Sequence, residues 1–365
     1  MRQSQSFPGA TGDGWGGGAL SRSIWDGTGA AAKPRQRWGI VLSGGEDRRM
    51  QPLISDWLGE NRPTQYCTFV GSRSMLQHTL DRACSVVRRQ NVLTVTGPGH
   101  RRHLAEAVRH PLPGRVIEQP MDAGTVPAVF LAATYALLND PEATLVLFPA
   151  GHFVHPEDAF CALANRAAEL SELHRDRIFL IGAVPDSPET DYGWVGTATG
   201  QSAMNTTEAA PDAMSVAAFR DKPGPAEAGL LWREGYLWNT MVLAVRAKTL
   251  WELGRKHLPE MMSSFDALLM VLRAIRQGLF DPKCEPEVLA RLYEHLTPAD
   301  FSRDLLQHAA SDCLLLPMRG IHWSDWERPE RVTETLARLG RLPLFSGDNM
   351  HTEAVGGRLQ TAEMI

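Results

Sequence analysis

Short apolar runs bounded by Gly, Pro and polar residues alternate along the chain with longer stretches whose apolar residues recur every three or four positions. The first pattern predicts buried strands, the second amphipathic helices. Strands are expected at 38–42, 92–96, 116–117, 144–148, 178–183, 216–219 and 241–245, and helices at 75–89, 103–108, 126–138, 156–173, 226–234 and 247–253. Strands separated by helices of this length predict an α/β fold with a mostly parallel sheet covered on both faces. Residues 257–311 read as helix after helix, clearest at 261–277 and 286–296, and form a helical elaboration. A late strand at 313–318 implies that the chain returns to the same sheet, and a helix at 329–339 closes it. One elaborated domain over 37–345 follows. Residues 1–36, with Gly16-Gly17-Gly18 and scattered Ser and Thr, are expected to be a disordered leader, and 346–365 a tail.

Composition narrows the class. The 365 residues are 43% hydrophobic and 22% charged, ordinary for a soluble globular chain that can bury a large core. A net charge of -5 gives no reason to expect a nucleic-acid or anionic-membrane partner, and Arg88-Arg89 and Arg101-Arg102 read as solvated surface. Five widely spaced cysteines without a Cys-x-x-Cys pair argue against a disulfide framework or structural zinc. No run reaches the ~20 apolar residues that span a bilayer, and Gly, Ser, Asp and Pro interrupt any signal core at the N-terminus. A cytoplasmic location is expected; a homo-oligomer is compatible with all of this.

Several strand ends carry residues suited to phosphate chemistry. The first strand runs into Ser43-Gly44-Gly45-Glu46-Asp47-Arg48-Arg49. Glycines after a buried strand let backbone N–H groups approach a phosphate, and arginines add planar, permanently charged donors. The spacing meets neither the dinucleotide fingerprint nor a Walker loop, and a tight strand-to-helix turn explains the glycines equally well. Further along come Arg62-Pro63-Thr64-Gln65, Ser74 as an N-cap, Glu118-Gln119-Pro120 leading through Gly124-Thr125 to a helix start, and Pro149-Ala150-Gly151-His152. Glu189-Thr190-Asp191-Tyr192-Gly193-Trp194 reads as a turn, and Phe219-Arg220-Asp221-Lys222-Pro223, Trp238-Asn239-Thr240 and Trp323-Ser324-Asp325-Trp326 complete the set. Trp194, Trp238, Trp323 and Trp326 are expected in the core and cleft wall, and Met261, Met262 and Met270 in helix core. His100, His110 and His174 are expected at the surface.

In this order the motifs resemble the sugar-1-phosphate nucleotidyltransferases, in particular the mannose-1-phosphate guanylyltransferases. That family reads A-G-G-x-G-T-R-L-x-P-L, R-P-K-Q-F, E-P-x-x-x-x-T-x-P-A, P-x-D-H, E-T-x-Y-G-Y/W-I, F-x-E-K-P, W-N-S and W-S-D, and the resemblance runs from about Trp38 to Leu339. It implies a Rossmann-like three-layer nucleotide-diphospho-sugar transferase fold with a mostly parallel mixed sheet and a helical C-terminal elaboration. It also implies transfer of a nucleotidyl group from an NTP, GTP by nearest resemblance, to a sugar 1-phosphate, mannose 1-phosphate by the same token, with Mg²⁺. By resemblance Ser43, Gly44, Gly45, Arg48 and Arg49 hold the triphosphate, and Glu118, Gly124 and Thr125 lie at the nucleotide base. Gly193, Asp221, Lys222 and Asn239 meet the sugar phosphate, and Asp325 holds the metal; Arg49, Lys222 and Asp325 form the catalytic set. Three motifs depart from the pattern. Asp47 and Arg48 replace a glycine and a threonine, Thr64 replaces a lysine, and Gly151 replaces a metal-binding aspartate. A relative that binds nucleotide or nucleotide sugar without turnover, as a regulatory or partner subunit, is the second expectation.

Overall fold

A computed structural model of the chain describes residues 36–46, 48–107, 111–197 and 210–346. The expected leader and tail, apart from Gln36 and Ser346, lie outside the described residues, as do Asp47 and His110. The described residues form one compact unit.

In chain order the elements are β1 (Arg37–Ser43), α1 (Gln51–Leu58), α2 (Met75–Val86), β2 (Val92–Thr96), α3 (Arg101–Ala107), β3 (Arg115–Glu118), α4 (Thr125–Asn139), β4 (Thr144–Pro149) and β5 (His152–His155). They continue with α5 (Glu157–Leu173), β6 (Ile178–Ala183), β7 (Gly193–Thr197), β8 (Met214–Asp221), α6 (Pro225–Arg233), β9 (Leu237–Arg246), α7 (Ala247–His257) and α8 (Pro259–Arg276). The last are α9 (Glu285–Glu294), a π-helix at Phe301–Leu306, β10 (Cys313–Met318), β11 (His322–Asp325) and α10 (Pro329–Arg338). The short α1, the strand β7, which starts at the end of the expected turn, and the pair β5 and β11 were not anticipated. Ser74 does cap α2: its hydroxyl accepts from Gln77 N–H at 3.2 Å, and the Gln77 side chain accepts from Ser74 N–H at 2.8 Å.

Nine strands form one sheet in the order β3-β2-β1-β4-β9-β6-β10-β8-β7. The half around β1 is parallel, as expected, but β9 runs antiparallel to β4, β6 and β7, and β8 antiparallel to β10 and β7. The sheet is therefore mixed, as expected, but not mostly parallel: among the described residues four strand pairs are parallel and five antiparallel, because β9 is inserted in the reverse direction between β4 and β6. Helices α2 and α5 pack together against β1, β4, β6 and β9, while α4, α7 and α8 pack together with α4 against β1 and β2. Alternation along β1 separates the two groups, since a Cβ at Gly39 would meet Ala83 and Val87 of the α2 side and neighbouring residues point the other way.

One irregularity opens the sheet. Strand β6 follows one edge of β9, but the register jumps so that Ile181 faces Val242 and Gly182 faces Asn239. On the opposite edge β4 pairs with the stretch ending at Leu243, and β7 pairs only with Leu237 and Trp238. The bulged Thr240-Met241 thus lies in the gap between the end of β4 and the start of β7. Met241 takes a positive φ of 57° there, and its N–H is held by the Asn239 side chain at 3.1 Å.

Candidate active site

That gap is the floor of a cavity of about 570 Å³, in the range of small-molecule sites. Its walls include Ser43, Gly44 and Gly45 from the loop after β1, Gly124 and Thr125 at the start of α4, and Gly193, Asp221, Lys222, Asn239 and Asp325. Ten of the residues singled out from sequence therefore converge.

The loop after β1 is braced from behind. Gln65 donates its amide N–H groups to the carbonyls of Ser43 and Gly45, both at 3.0 Å. His100, expected at the surface, is buried with Nδ1 3.3 Å from the Ser43 carbonyl and 3.2 Å from the Tyr66 hydroxyl; burial lowers its pKa. With its carbonyls engaged, the loop leaves N–H groups to face a ligand. The loop passes close to the Gln119 amide, since a Cβ at Gly44 would stand 3.0 Å from Gln119 Nε2. Thr64 is fully buried and does not line the cavity; its hydroxyl has no partner among the described residues. Arg48 is exposed and away from the lining.

Glu118 is not part of the cavity. Its carboxylate accepts from Gly99 N–H at 2.7 Å and from Arg101 at 2.5 Å. Successive residues of an extended segment point to opposite sides, so the lining position falls to Gln119. Gln119 is buried, and the Tyr293 hydroxyl donates to its Oε1 at 3.1 Å, which turns Nε2 toward Gly44. The start of α4 is also less open than a free helix N-terminus. The Ala299 carbonyl accepts from Val126 N–H at 3.1 Å, Thr125 Oγ1 accepts from Phe301 N–H at 2.7 Å, and Asp122 accepts from Gly124 N–H at 3.0 Å.

On the other side, β7 and β8 carry Gly193 opposite Asp221. Lys222 follows with a left-handed φ of 47°. Burial raises the Asp221 pKa, Asp300 and Asp304 add to the rise, and Lys222 and Arg303 oppose it. Asn239 donates to the Ser302 hydroxyl at 2.9 Å, which ties β9 to the π-helix.

The third wall is a two-stranded ribbon of β5 and β11 in which His152 faces Asp325, and the Gly151 carbonyl accepts from Trp326 N–H at 3.1 Å. Gly151 and Asp325 are thus neighbours across the ribbon. Asp325 Oδ1 accepts from Arg331 at 3.0 Å and from Glu327 N–H at 2.9 Å. Arg331 is buried, stacks 4.1 Å over the Tyr192 ring and also pairs with Glu189 at 2.9 Å and Asp191 at 3.4 Å. Arg49 pairs with Asp191 at 2.8 Å and Glu327 at 3.1 Å, and Arg328 also reaches Asp191. His152 is enclosed beside Trp323, and burial with the nearby Arg82 pushes its pKa down to about 3, so it is neutral. No three His, Cys, Asp or Glu residues converge to hold a metal among the described residues. Asp325 is the one carboxylate of the ribbon strands, and Arg331 already neutralises it.

The four tryptophans are all buried, with Trp323 also at the cavity wall. Of the methionines, Met262 is fully buried but Met270 is 54% exposed, because α8 turns that face away from α4 and α7. Sequence reading missed Gln65, Gln119, Asp191, Ser302 and Arg331. Gln65, Gln119 and Asp191 stood within quoted motifs but were given no role; Ser302 and Arg331 lie in helical stretches that gave no local signal.

The profile of the family described as nucleotidyl transferase matches residues 38–271, well over half of the chain. The xanthan biosynthesis protein XanB of Xanthomonas campestris pv. campestris is 31% identical over 223 residues, 60% of this chain and 44% of that protein. A mannose-1-phosphate guanylyltransferase of Escherichia coli strain K12 is 26% identical over 334 residues, 88% of this chain and 66% of that protein. The chain thus spans about half to two thirds of the length of these relatives. Among solved structures, one described as a mannose-1-phosphate geranyltransferase from Thermus thermophilus superposes with a TM-score of 0.66 at 24% identity, covering 84% of this chain and 79% of that one. A mannose-6-phosphate isomerase from Helicobacter pylori gives 0.60 at 17% identity, covering 80% and 100%. These likenesses speak to the α/β fold.

Proposed function

The chain belongs to the nucleotidyl transferase family, and on that premise we propose that its cavity transfers a nucleotidyl group from GTP to mannose 1-phosphate, releasing pyrophosphate. The observation that carries this reading is the convergence on one cavity of the Ser43-Gly44-Gly45 loop from one side and Asp221, Lys222 and Asn239 from the other. We read the sheet with its two helical layers as the Rossmann-like three-layer nucleotide-diphospho-sugar transferase fold. The names of the guanylyltransferase relatives support the choice of base and sugar.

In this reading a phosphate oxygen of the sugar 1-phosphate attacks the α-phosphorus, the bond to the β-phosphate bridging oxygen breaks, and pyrophosphate leaves with that electron pair. Such a transfer needs positioning and charge neutralisation more than a covalent protein group. The loop N–H groups at Gly44 and Gly45 hold the triphosphate, while Gln65 fixes their direction. Gln119, Gly124 and Thr125 line the base end. Asn239 and Gly193 meet the sugar, and Lys222 its phosphate. Arg49 reaches the triphosphate by exchanging Asp191 and Glu327 for phosphate oxygens, an exchange open to a half-exposed side chain.

Protein groups alone do not make a Mg²⁺ cage here. A divalent cation entering with the triphosphate would draw on phosphate oxygens and water, with Asp325 as the carboxylate at hand. When bound it would offset charge on the triphosphate.

Pyrophosphate release from purified protein with GTP, mannose 1-phosphate and Mg²⁺ tests the reading. Release that disappears in Lys222→Ala is the expected result. GTP binding without release would favour the non-catalytic partner subunit, and absence of both would end the proposal.

A further inference from the structure

The cavity is rich in carboxylates: Asp122, Asp191, Asp221, Asp300, Asp325 and Glu327 line it, with Lys222 and Arg303 as the lining Lys and Arg side chains. Most of these acids are engaged. Asp122 and Asp300 cap backbone N–H groups, and Arg49, Arg328 and Arg331 pair with Asp191, Asp325 and Glu327. Asp221 remains, beside Lys222. A sugar phosphate carrying about two negative charges would therefore meet one lysine next to one carboxylate, an unfavourable balance for binding an anion.

Arg303 changes that balance. It lines the same cavity as Asp221 and Lys222, so both cations face the space that a sugar phosphate would enter. It stands on the π-helix, a form that recurs at functional sites. Asp300 caps this turn, Thr125 accepts from Phe301 N–H, and Asn239 donates to Ser302, so the segment leading into Arg303 is fastened to the cavity wall. Asp304 accepts from Arg303 Nε and Nη2, both at 2.9 Å, and is itself held by Asp300 N–H at 2.7 Å. A guanidinium has five N–H donors. Two go to Asp304, which leaves both on Nη1 and one on Nη2 for another acceptor.

We propose that Arg303 is a second phosphate-binding residue of this site, joining Lys222 on the phosphate of the sugar 1-phosphate, with Asp304 as the positioning residue that holds its fork. This rests on the nucleotidyl-transfer reading above. Arg303 is mostly exposed on its own helical turn, so its removal leaves the fold intact.

The test is calorimetric titration of mannose 1-phosphate and of unphosphorylated mannose into protein saturated with a GTP analogue whose α,β-bridging oxygen is replaced by methylene. In Arg303→Ala the Kd for mannose 1-phosphate is expected to rise at least tenfold, in Arg303→Lys less. Binding of mannose and of the GTP analogue should stay within twofold. In Asp304→Asn an intermediate loss is expected, and in turnover the KM for the sugar phosphate should rise while that for GTP holds. Equal affinity of wild type and Arg303→Ala for mannose 1-phosphate overturns the inference and leaves the function standing. An equal loss for mannose or the GTP analogue also overturns it, by assigning Arg303 a structural role. Wild-type protein that binds neither GTP analogue nor sugar phosphate removes the functional reading and this inference together.

Discussion

A side chain added at Gly151 would meet no atom within 4 Å, and its carbonyl is bonded to Trp326 beside Asp325. The residue's backbone lies outside the positive-φ set, so an aspartate fits without strain. Gly151→Asp is expected to lower the Mg²⁺ concentration for half-maximal pyrophosphate release by about tenfold, roughly the ~1.4 kcal/mol of one added ligand contact. A metal titration that superposes on the wild type would refute this. Tyr293 sets the Gln119 amide by one hydrogen bond, worth ~1 kcal/mol net. Tyr293→Phe should therefore raise the KM for GTP by about fivefold while that for the sugar phosphate is unchanged; a change shared by both substrates would point to general loosening. The Glu118 and Gln119 pair shows what a motif leaves open. The string names both residues, and only the direction of the extended chain says which one faces the cavity.

At the scale of elements, the start of α4 is joined to the segment before the π-helix by paired backbone bonds, Val126 to Ala299 and Ala299 to Ala123. Gly124 makes the join feasible, with a φ of 87° and only 2.4 Å from a would-be Cβ to the Ala299 carbonyl. Gly124→Ala should cost about 2 kcal/mol or more, seen as a lower urea midpoint, with weaker binding of both substrates because this join closes the cavity. An unchanged midpoint would show that the join relaxes freely. Long periodic helices such as α5 were legible to within a residue, and so were β2, β6 and β10. The ribbon of β5 and β11 was not, because four-residue strands carry no period and exist only through each other.

The whole molecule carries an acid sensitivity of its own. Buried His100 and half-buried His152 have pKa values below the ordinary 6.5, His152 at about 3. Below pH 6.5 the unfolded chain takes up a proton on the His152 ring that the folded chain refuses until about pH 3. The contribution of this ring to stability is thus complete above pH 6.5 and is lost as pH falls toward 3, and His100 acts in the same direction. Unfolding free energy should fall by up to ~1.4 kcal/mol per pH unit for His152 in that window, and His152→Gln should flatten the slope between pH 6 and 4. An unaltered slope would exclude His152 as a source. Asp221 has the opposite sign: its raised pKa weakens the fold as pH rises past the carboxylate range, so Asp221→Asn should raise Tm at pH 7 and lose that gain near pH 3. The order of the longer strands and helices is a local property of hydrophobic spacing and backbone freedom, and the sequence by itself determined it, together with ten of the residues that line the cavity. It did not determine that β9 enters antiparallel between β4 and β6, that its bulge opens the floor, or that Arg331 comes to Glu189 and Arg303 to the cavity of Lys222 from helical turns far along the chain. Those depend on contacts between residues remote in sequence or on the direction in which a strand is inserted. Neither leaves a period in the chain, and only the packed tertiary structure decides them.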